Sequence, residues 1–345
     1  RLGIKAGTPY YQLGRMFPGV KIEAFSSNYE LYGEMTGRVM TIIRDMAPEC
    51  FRYSIDEAFA VLDGFTVDEL HEWGTALHDR VMQSVGMPVS IGIAPTKTMA
   101  KMASHYAKKY AGYGHCCVID TEERRIKAEQ LYPIGEVWGI GRRYQARFES
   151  MGIRTAYDFA SHARSWVSAT FRTVIMERTW AELNGVDCIP DDIPAKKKSV
   201  CTSRSFRDMT SDFDTLHTHI ANFAARCAEK ARRQRSVATV VGVFVDTNHF
   251  RTDLTQYWNM TELTLRMPSA STIEIVKAAT ACLKRIYRAD VMYKKAGVIL
   301  LGVVPDNAIQ TDLFSFDADR HRQMQSLDSA VDRLNKVEGT ETVVL

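Results

Sequence analysis

An α+β chain with more than one domain is what this sequence predicts. Three observations carry the prediction. Helical and strand-like periodicities interleave in the first part of the chain. A helix, Gly-x-Gly, helix pattern follows. After a Pro- and Lys-rich break, a separate β-α-β-β-α-β series begins. With 345 residues there is room for two or three domains, and an apolar fraction of 46% is ordinary for a well-cored protein. The formal net charge of +3 excludes a polycation, so any affinity for nucleic acid must come from local patches. Seven scattered cysteines without CxxC spacing, the vicinal pair Cys116-Cys117 among them, read as reduced thiols of a cytosolic protein, against zinc or a disulfide framework. No apolar run reaches membrane-spanning length and there is no signal peptide, so no membrane is expected. The opening Arg1-Leu2-Gly3-Ile4, without Met and already structured in pattern, reads as a fragment whose first domain begins earlier.

Taken in order, Ser27 to Met46 reads as a helix, with Ser26 or Ser27 as cap and Leu31, Met35, Val39, Ile42 and Met46 as its apolar stripe. Phe51 to Leu62 follows as two short strands around Asp56-Glu57. Two adjacent acids between apolar segments are costly unless they meet water, a partner or a metal. Neighbours on a flat strand point to opposite faces, so both acids reach one place only across a turn or bulge. Paired acids aimed at one point suit Mg²⁺, whereas a solvated hairpin turn is the alternative reading. Val67 to Val85 is helical, with Leu70, Trp73, Leu77 and Val81 on one face, and Pro88 to Ile93 is a half-buried strand.

On the next helix, Thr96 to Tyr110, the residues Lys97, Lys101 and Lys108 fall within about 40° of one another. Met99, Met102, Ala103 and Tyr106 lie opposite. The lysine ridge is either a solvated face or a surface that meets phosphates. Val137 to Arg143 then places Gly139-Ile140-Gly141 between a short helix ending near Leu131 and one carrying Tyr144, Phe148 and Met151 inward, with Gly152 as its stop. Such a helix-hairpin-helix turn can hold a DNA phosphate on backbone amides without reading sequence. Residues 190–198 read as a linker. Beyond it come a strand at Val200–Phe206, a helix at Phe213–Arg235, strands at Val237–Thr247 and Tyr257–Arg266, a helix at Ile273–Tyr287 and a strand at Lys295–Val304, ferredoxin-like in outline. Basic residues, Arg204 among them, line its edges. The Leu313-Phe314 pair in a polar tail looks like an anchor for a partner's pocket.

In order and spacing these pieces resemble the Y-family translesion DNA polymerases. The matching stretches are Phe25 to Tyr32, Tyr53-Ser54-Ile55-Asp56-Glu57-Ala58-Phe59, Gly92 to Lys101, Val137-Trp138-Gly139-Ile140-Gly141-Arg142-Arg143, Cys201 to Phe206 and Gln310-Thr311-Asp312-Leu313-Phe314. The resemblance implies a right-hand architecture. Residues 1–125 would be partial fingers and palm, 126–190 the helix-hairpin-helix thumb, 191–198 a linker, 199–305 a ferredoxin-like little finger, and 306–345 a tail with a clamp-binding peptide. It implies that Asp56 and Glu57 hold two Mg²⁺ ions and that Lys108 meets the incoming deoxynucleoside triphosphate. Gly139, Ile140, Gly141, Arg142 and Arg204 would contact primer-template DNA, and Gln310, Leu313 and Phe314 a sliding clamp. A UmuD′-like subunit and a RecA-type filament are implied as partners, with error-prone synthesis in the SOS response near the bacterial nucleoid as the setting. The family's first catalytic aspartate and its triphosphate-gripping finger residues are expected upstream of Arg1. The chain as it stands is therefore expected to bind primer-template DNA and extend primers poorly or not at all. The alternative is a non-catalytic DNA- and clamp-binding fragment or paralogue. A helix-hairpin-helix nuclease or glycosylase lacks a constellation to support it.

Overall fold

The computed structural model describes residues 2–4, 7–47, 49–190, 198–307, 318–339 and 342–343. The chain forms two compact units, Arg1–Ile193 and Pro194–Leu345.

In the first unit, α1 (Tyr10–Met16) precedes α2 (Tyr29–Met46). The cap of α2 is Asn28, whose side chain accepts from the Leu31 amide, in place of the serines the sequence suggested. Its short amide satisfies one of the helix's orphan donors as well as a hydroxyl would. Thr36, Val39 and Met40 point inward, while Leu31, expected in the stripe, is exposed. Strands β1 (Glu49–Arg52) and β2 (Ala58–Val61) pair antiparallel, with Arg52 opposite Ala58. Helix α3 (Val67–Val85) starts on Thr66, where the Glu69 carboxylate accepts from the Thr66 amide at 2.7 Å, and stops at Gly86 in the left-handed region. Its Leu77 and Val81 pack with Val39, and the Trp73 indole donates to the Met46 carbonyl, locking α3 onto α2.

Strand β3 (Ile91–Ile93), helix α4 (Lys97–Lys109) and strand β4 (Cys116–Val118) form a β-α-β unit, with β3 and β4 parallel. Gly92 lets α4 lie against the strand: a Cβ there would meet the Ala100 carbonyl oxygen at 2.1 Å. The two strand pairs do not join into one sheet among the described residues. Helices α5 (Glu122–Leu131), α6 (Arg142–Ser150), α7 (Ala156–Ala160), α8 (Arg164–Phe171) and α9 (Val174–Leu183) complete the unit. Phe148, Phe159, Met176 and Leu183 share one core with Met99, Met102 and Ala103 of α4, so this helical layer and α4 are packed as one body. Met151, expected inside, is 43% exposed, because α6 ends at Ser150 and the chain turns at Gly152 (φ +81°).

The second unit follows the β-α-β-β-α-β order: β5 (Val200–Thr210), α10 (Phe213–Arg233), β6 (Ser236–Thr247), β7 (Trp258–Ser269), α11 (Thr272–Ile286) and β8 (Tyr293–Leu301), then the short β9 (Val304–Pro305) beside β6. The sheet runs β5-β8-β6-β7 with antiparallel neighbours, so each helical crossover passes over one strand: β8 lies between β5 and β6, and β6 between β7 and β8. Leu216, Ile220, Phe223, Ala224 and Cys227 of α10 are all buried, as their spacing predicted. Residues 306–345, expected as a tail, include a helix, α12 (Ala318–Glu338). Polar anchors hold it to this unit. The Arg232 guanidinium donates to both carboxylate oxygens of Asp332 at 2.7 and 2.8 Å, and the Thr272 amide donates to the Asp328 carboxylate at 3.3 Å. Gln310, Leu313 and Phe314 lie outside the described residues.

Candidate active site: an acid hairpin, a lysine and two aromatic rings

The β1–β2 connection is closed by two amides on one carbonyl: Tyr53 and Ser54 both donate to the Glu57 carbonyl oxygen, at 3.0 and 3.1 Å. This supplies the turn that the adjacent acids require. Asp56 and Glu57 are both exposed and both line a single cleft of about 590 Å³. The Ser54 hydroxyl donates to the Asp56 carboxylate at 2.7 Å and orients it. Strand β2 lines the cleft with consecutive residues from Ala58 to Val61, and β3 does so from Ile91 to Ile93. A run of consecutive residues marks strand edges, since one face of a strand would contribute every second residue.

Helix α4 delivers the basic side of this cleft. The Lys101 ammonium lies 2.6 Å from the Glu57 carboxylate, and Lys97 pairs with Asp187 at 3.1 Å and lines the same cleft. The start of α4 is held from behind by Glu182 of α9, a residue with no exposed surface. The Glu182 carboxylate accepts from the amides of Thr98, Cys188 and Ile189 at 2.9 to 3.1 Å, and its carbonyl accepts from the Thr96 hydroxyl. A buried carboxylate with three amide donors is a satisfied one, and here it fixes the helix that carries both lysines. Lys108 is exposed and does not line the cleft. It stands two helical turns beyond Lys101 on the same side, about 10 Å along the axis.

The predicted DNA-contacting turn is a tight one. Gly139 has φ +89°, where a Cβ would also sit 3.4 Å from the Thr179 hydroxyl, and Gly141 is the N-cap of α6. Arg142 is exposed at the first helical position. Ile140 is 6% exposed and belongs to the core, so its side chain anchors the turn instead of facing a ligand. Arg204 is exposed on β5, in the second unit.

The residue that sequence reasoning passed over is Trp138. Its indole donates to the Tyr53 hydroxyl at 3.1 Å, its ring meets Tyr53 edge-on at 5.2 Å between centroids, and it packs on Phe59 at 5.7 Å. The Lys101 ammonium lies over both rings, 5.0 Å from the Tyr53 centroid and 5.3 Å from that of Trp138. The glycine turn and the acid hairpin are thus joined through the Trp138 side chain. Only the alternation of Val137, Trp138 and Ile140 hinted at it: two flanking core residues leave the tryptophan to point elsewhere.

The donor set suits a hard cation. Asp56 and Glu57 offer carboxylate oxygens in an open cleft, and a cationic ammonium already rests on one of them. Mg²⁺ is commonly held by one or two carboxylates with substrate phosphates completing the shell. Among the described residues, no group of three or more His, Cys, Asp or Glu side chains is arranged to hold a metal. No helix among them is long and apolar enough to cross a membrane.

Comparison with known proteins gives a consistent picture. Residues 1–105 match the impB/mucB/samB family, and residues 197–313 match the impB/mucB/samB family C-terminal domain. Protein UmuC of Salmonella typhimurium strain LT2 is 35% identical over 347 residues, covering 99% of this chain and 82% of that relative. DNA polymerase IV of Dehalococcoides mccartyi strain CBDB1 is 26% identical over 349 residues, covering 99% and 84%. Among solved structures, a Dbh-based Y-family DNA polymerase chimera superposes with a TM-score of 0.66 at 17% identity, covering 88% of this chain and 85% of that one. That likeness establishes the fold.

Proposed function

The chain belongs to the impB/mucB/samB family of UmuC-like Y-family DNA polymerases, and from that premise we propose that its acid hairpin is the metal-holding edge of a site for template-directed nucleotidyl transfer in translesion synthesis. Membership makes it a DNA-directed DNA polymerase, with DNA and deoxynucleoside triphosphates as substrates. The observation that carries the assignment of the site is the shared cleft: Asp56 and Glu57 reach it from one turn, opposite a lysine-bearing helix.

In this reading Asp56 and Glu57 hold Mg²⁺. When bound, the metal supplies Lewis-acid activation of the primer 3′-hydroxyl and charge neutralisation at the leaving pyrophosphate. Ser54 keeps the Asp56 carboxylate aimed into the cleft through its 2.7 Å hydrogen bond. Lys97 and Lys101 set a positive wall where triphosphate charge would lie, and Lys108 extends it along the same helix face. The amides after Gly141 and the Arg142 side chain bind the DNA backbone, contacts that position the duplex without reading it. Arg204 adds a phosphate contact from the β-α-β-β-α-β unit. Residues 1–125 then serve as partial fingers and palm, 126–190 as thumb, 199–305 as little finger and 306–345 as the clamp-engaging region. A sliding clamp docks on Gln310, Leu313 and Phe314. A UmuD′-like subunit and a RecA-type filament are the further partners, and the setting is the bacterial cytoplasm beside the nucleoid.

Primer extension tests this reading. In the full-length open reading frame, Asp56→Ala is expected to abolish Mg²⁺-dependent extension while primer-template affinity stays within about twofold, since the carboxylate acts on chemistry and not on backbone binding. Extension that survives Asp56→Ala would reject the metal role of the hairpin.

A further inference from the structure

We propose that Trp138 is a positioning residue for the acid site: with Tyr53 it forms an aromatic seat that holds the Lys101 ammonium against Glu57, and so ties the orientation of the acid hairpin to the glycine turn. This inference rests on the reading of Asp56-Glu57 as the catalytic hairpin.

A lysine on an exposed carboxylate is ordinarily a loose partner, because the long side chain loses rotamer freedom and water competes for both charges. Lys101 differs in having three restraints. Its ammonium touches Glu57 at 2.6 Å and lies over two ring faces at 5.0 and 5.3 Å, leaving its side chain 24% exposed. The ring faces attract it through their quadrupoles. The rings are themselves fixed. The Trp138 N–H donates to the Tyr53 hydroxyl, Phe59 backs both rings, and the Tyr53 amide closes the acid turn by donating to the Glu57 carbonyl. Trp138 is carried on a rigid element, since Val137 and Ile140 on either side are buried and Gly139 makes the turn. A side chain locked in this way is what keeps a neighbouring site in register.

The consequence is specific. Removing the indole frees Lys101 without touching either acid. Replacing it with phenylalanine keeps a ring face but deletes the N–H that pins Tyr53, so the seat loosens only in part.

Lysine labelling with an amine acylating reagent, read by mass spectrometry, tests the seat directly. Lys284, exposed in the second unit, serves as the internal standard. In Trp138→Leu the labelling rate of Lys101 is expected to rise roughly fivefold, the factor that corresponds to an exposed cation–π contact, with an intermediate rise in Trp138→Phe. Unchanged Lys101 labelling in both variants, with Lys284 constant, overturns the proposal; the phenylalanine variant, close in volume, guards against a simple folding defect. A second arm uses primer extension by the full-length open reading frame. If Trp138 acts through Lys101, the kcat/KM losses of Trp138→Leu and Lys101→Met are non-additive, and additive losses overturn it. Extension that survives Asp56→Ala would instead remove the catalytic reading of the hairpin, while the labelling result would still decide whether the seat exists.

Discussion

Burial pushes the Glu129 carboxyl up to about 7, against the opposing pull of Arg125, whose guanidinium lies 3.3 Å away and also donates to the Leu183 carbonyl. The residue sits on α5 and is fully buried. Its ordinary value is 4.5, so the folded form holds the proton to higher pH than the unfolded chain does. The stability from this group is therefore full below 4.5, falls as pH rises toward 7, and levels off above. Glu129→Gln removes that slope. Between about pH 5 and about pH 8 the variant is expected to gain on the parent by on the order of 2 kcal/mol in urea melts of the first unit. A constant difference across that range would show that the carboxylate is not desolvated. Charge spacing in the sequence suggested none of this, because Arg125 and Glu129 at i, i+4 look like any solvated helix pair. Likewise Glu57 and Lys101 are 44 residues apart and Tyr53 and Trp138 are 85 apart, and no local pattern joins them.

At the scale of elements, most helices and strands were legible because their apolar residues recur at clear periods. Val67–Val85 and α10 show this, with Leu216, Ile220 and Phe223 at the helix repeat. Misreadings fall at ends and tails, and the short helices α7, α8 and α9 were assigned no element from the sequence. The cap of α2 is Asn28 because three candidate capping residues stand in a row, and only the backbone path selects among them. Helix α12 was missed because its anchors are charged. Arg232 meets Asp328 at 3.4 Å and Asp332 at 2.7 Å, and Asp328 caps the start of α11, where the Ser271 hydroxyl has no partner among the described residues. Arg232→Met leaves Asp328 buried without its cation, so a loss of about 3 kcal/mol is expected. Hydrogen exchange should then quicken in α12 and at the Thr272 amide together. Quickening confined to α10 would show that α12 is held by something else.

The whole molecule carries little net charge, +3 over 345 residues, so DNA binding has to come from local patches; in the proposed reading these are the lysine face of α4, the turn before α6 and the basic edges of the second unit. The affinity for primer-template DNA should nonetheless fall steeply with salt, with a log–log slope of about −5 if roughly six phosphates are neutralised. A flat response in a fluorescence-anisotropy titration would rule out backbone contact as the main source of binding. The two units hold separate buried cores, one around Phe148, Phe159 and Met99 and one around Ile220, Val243 and Leu283.

By itself the sequence determined the order of its strongly periodic elements and offered the residue types on which the proposed chemistry rests: an Asp-Glu pair in a strand-turn-strand, a lysine helix, a Gly-x-Gly turn. Those depend on local periodicity and on side-chain chemistry, which neighbours in the chain already contain. Only the tertiary structure decided which groups meet. It put Lys101 and not Lys108 on Glu57, turned Ile140 into the core, used Glu182 to hold α4, and set Trp138 against Tyr53. Each of these depends on close packing between segments distant in sequence, where a contact exists only once both backbones have been placed.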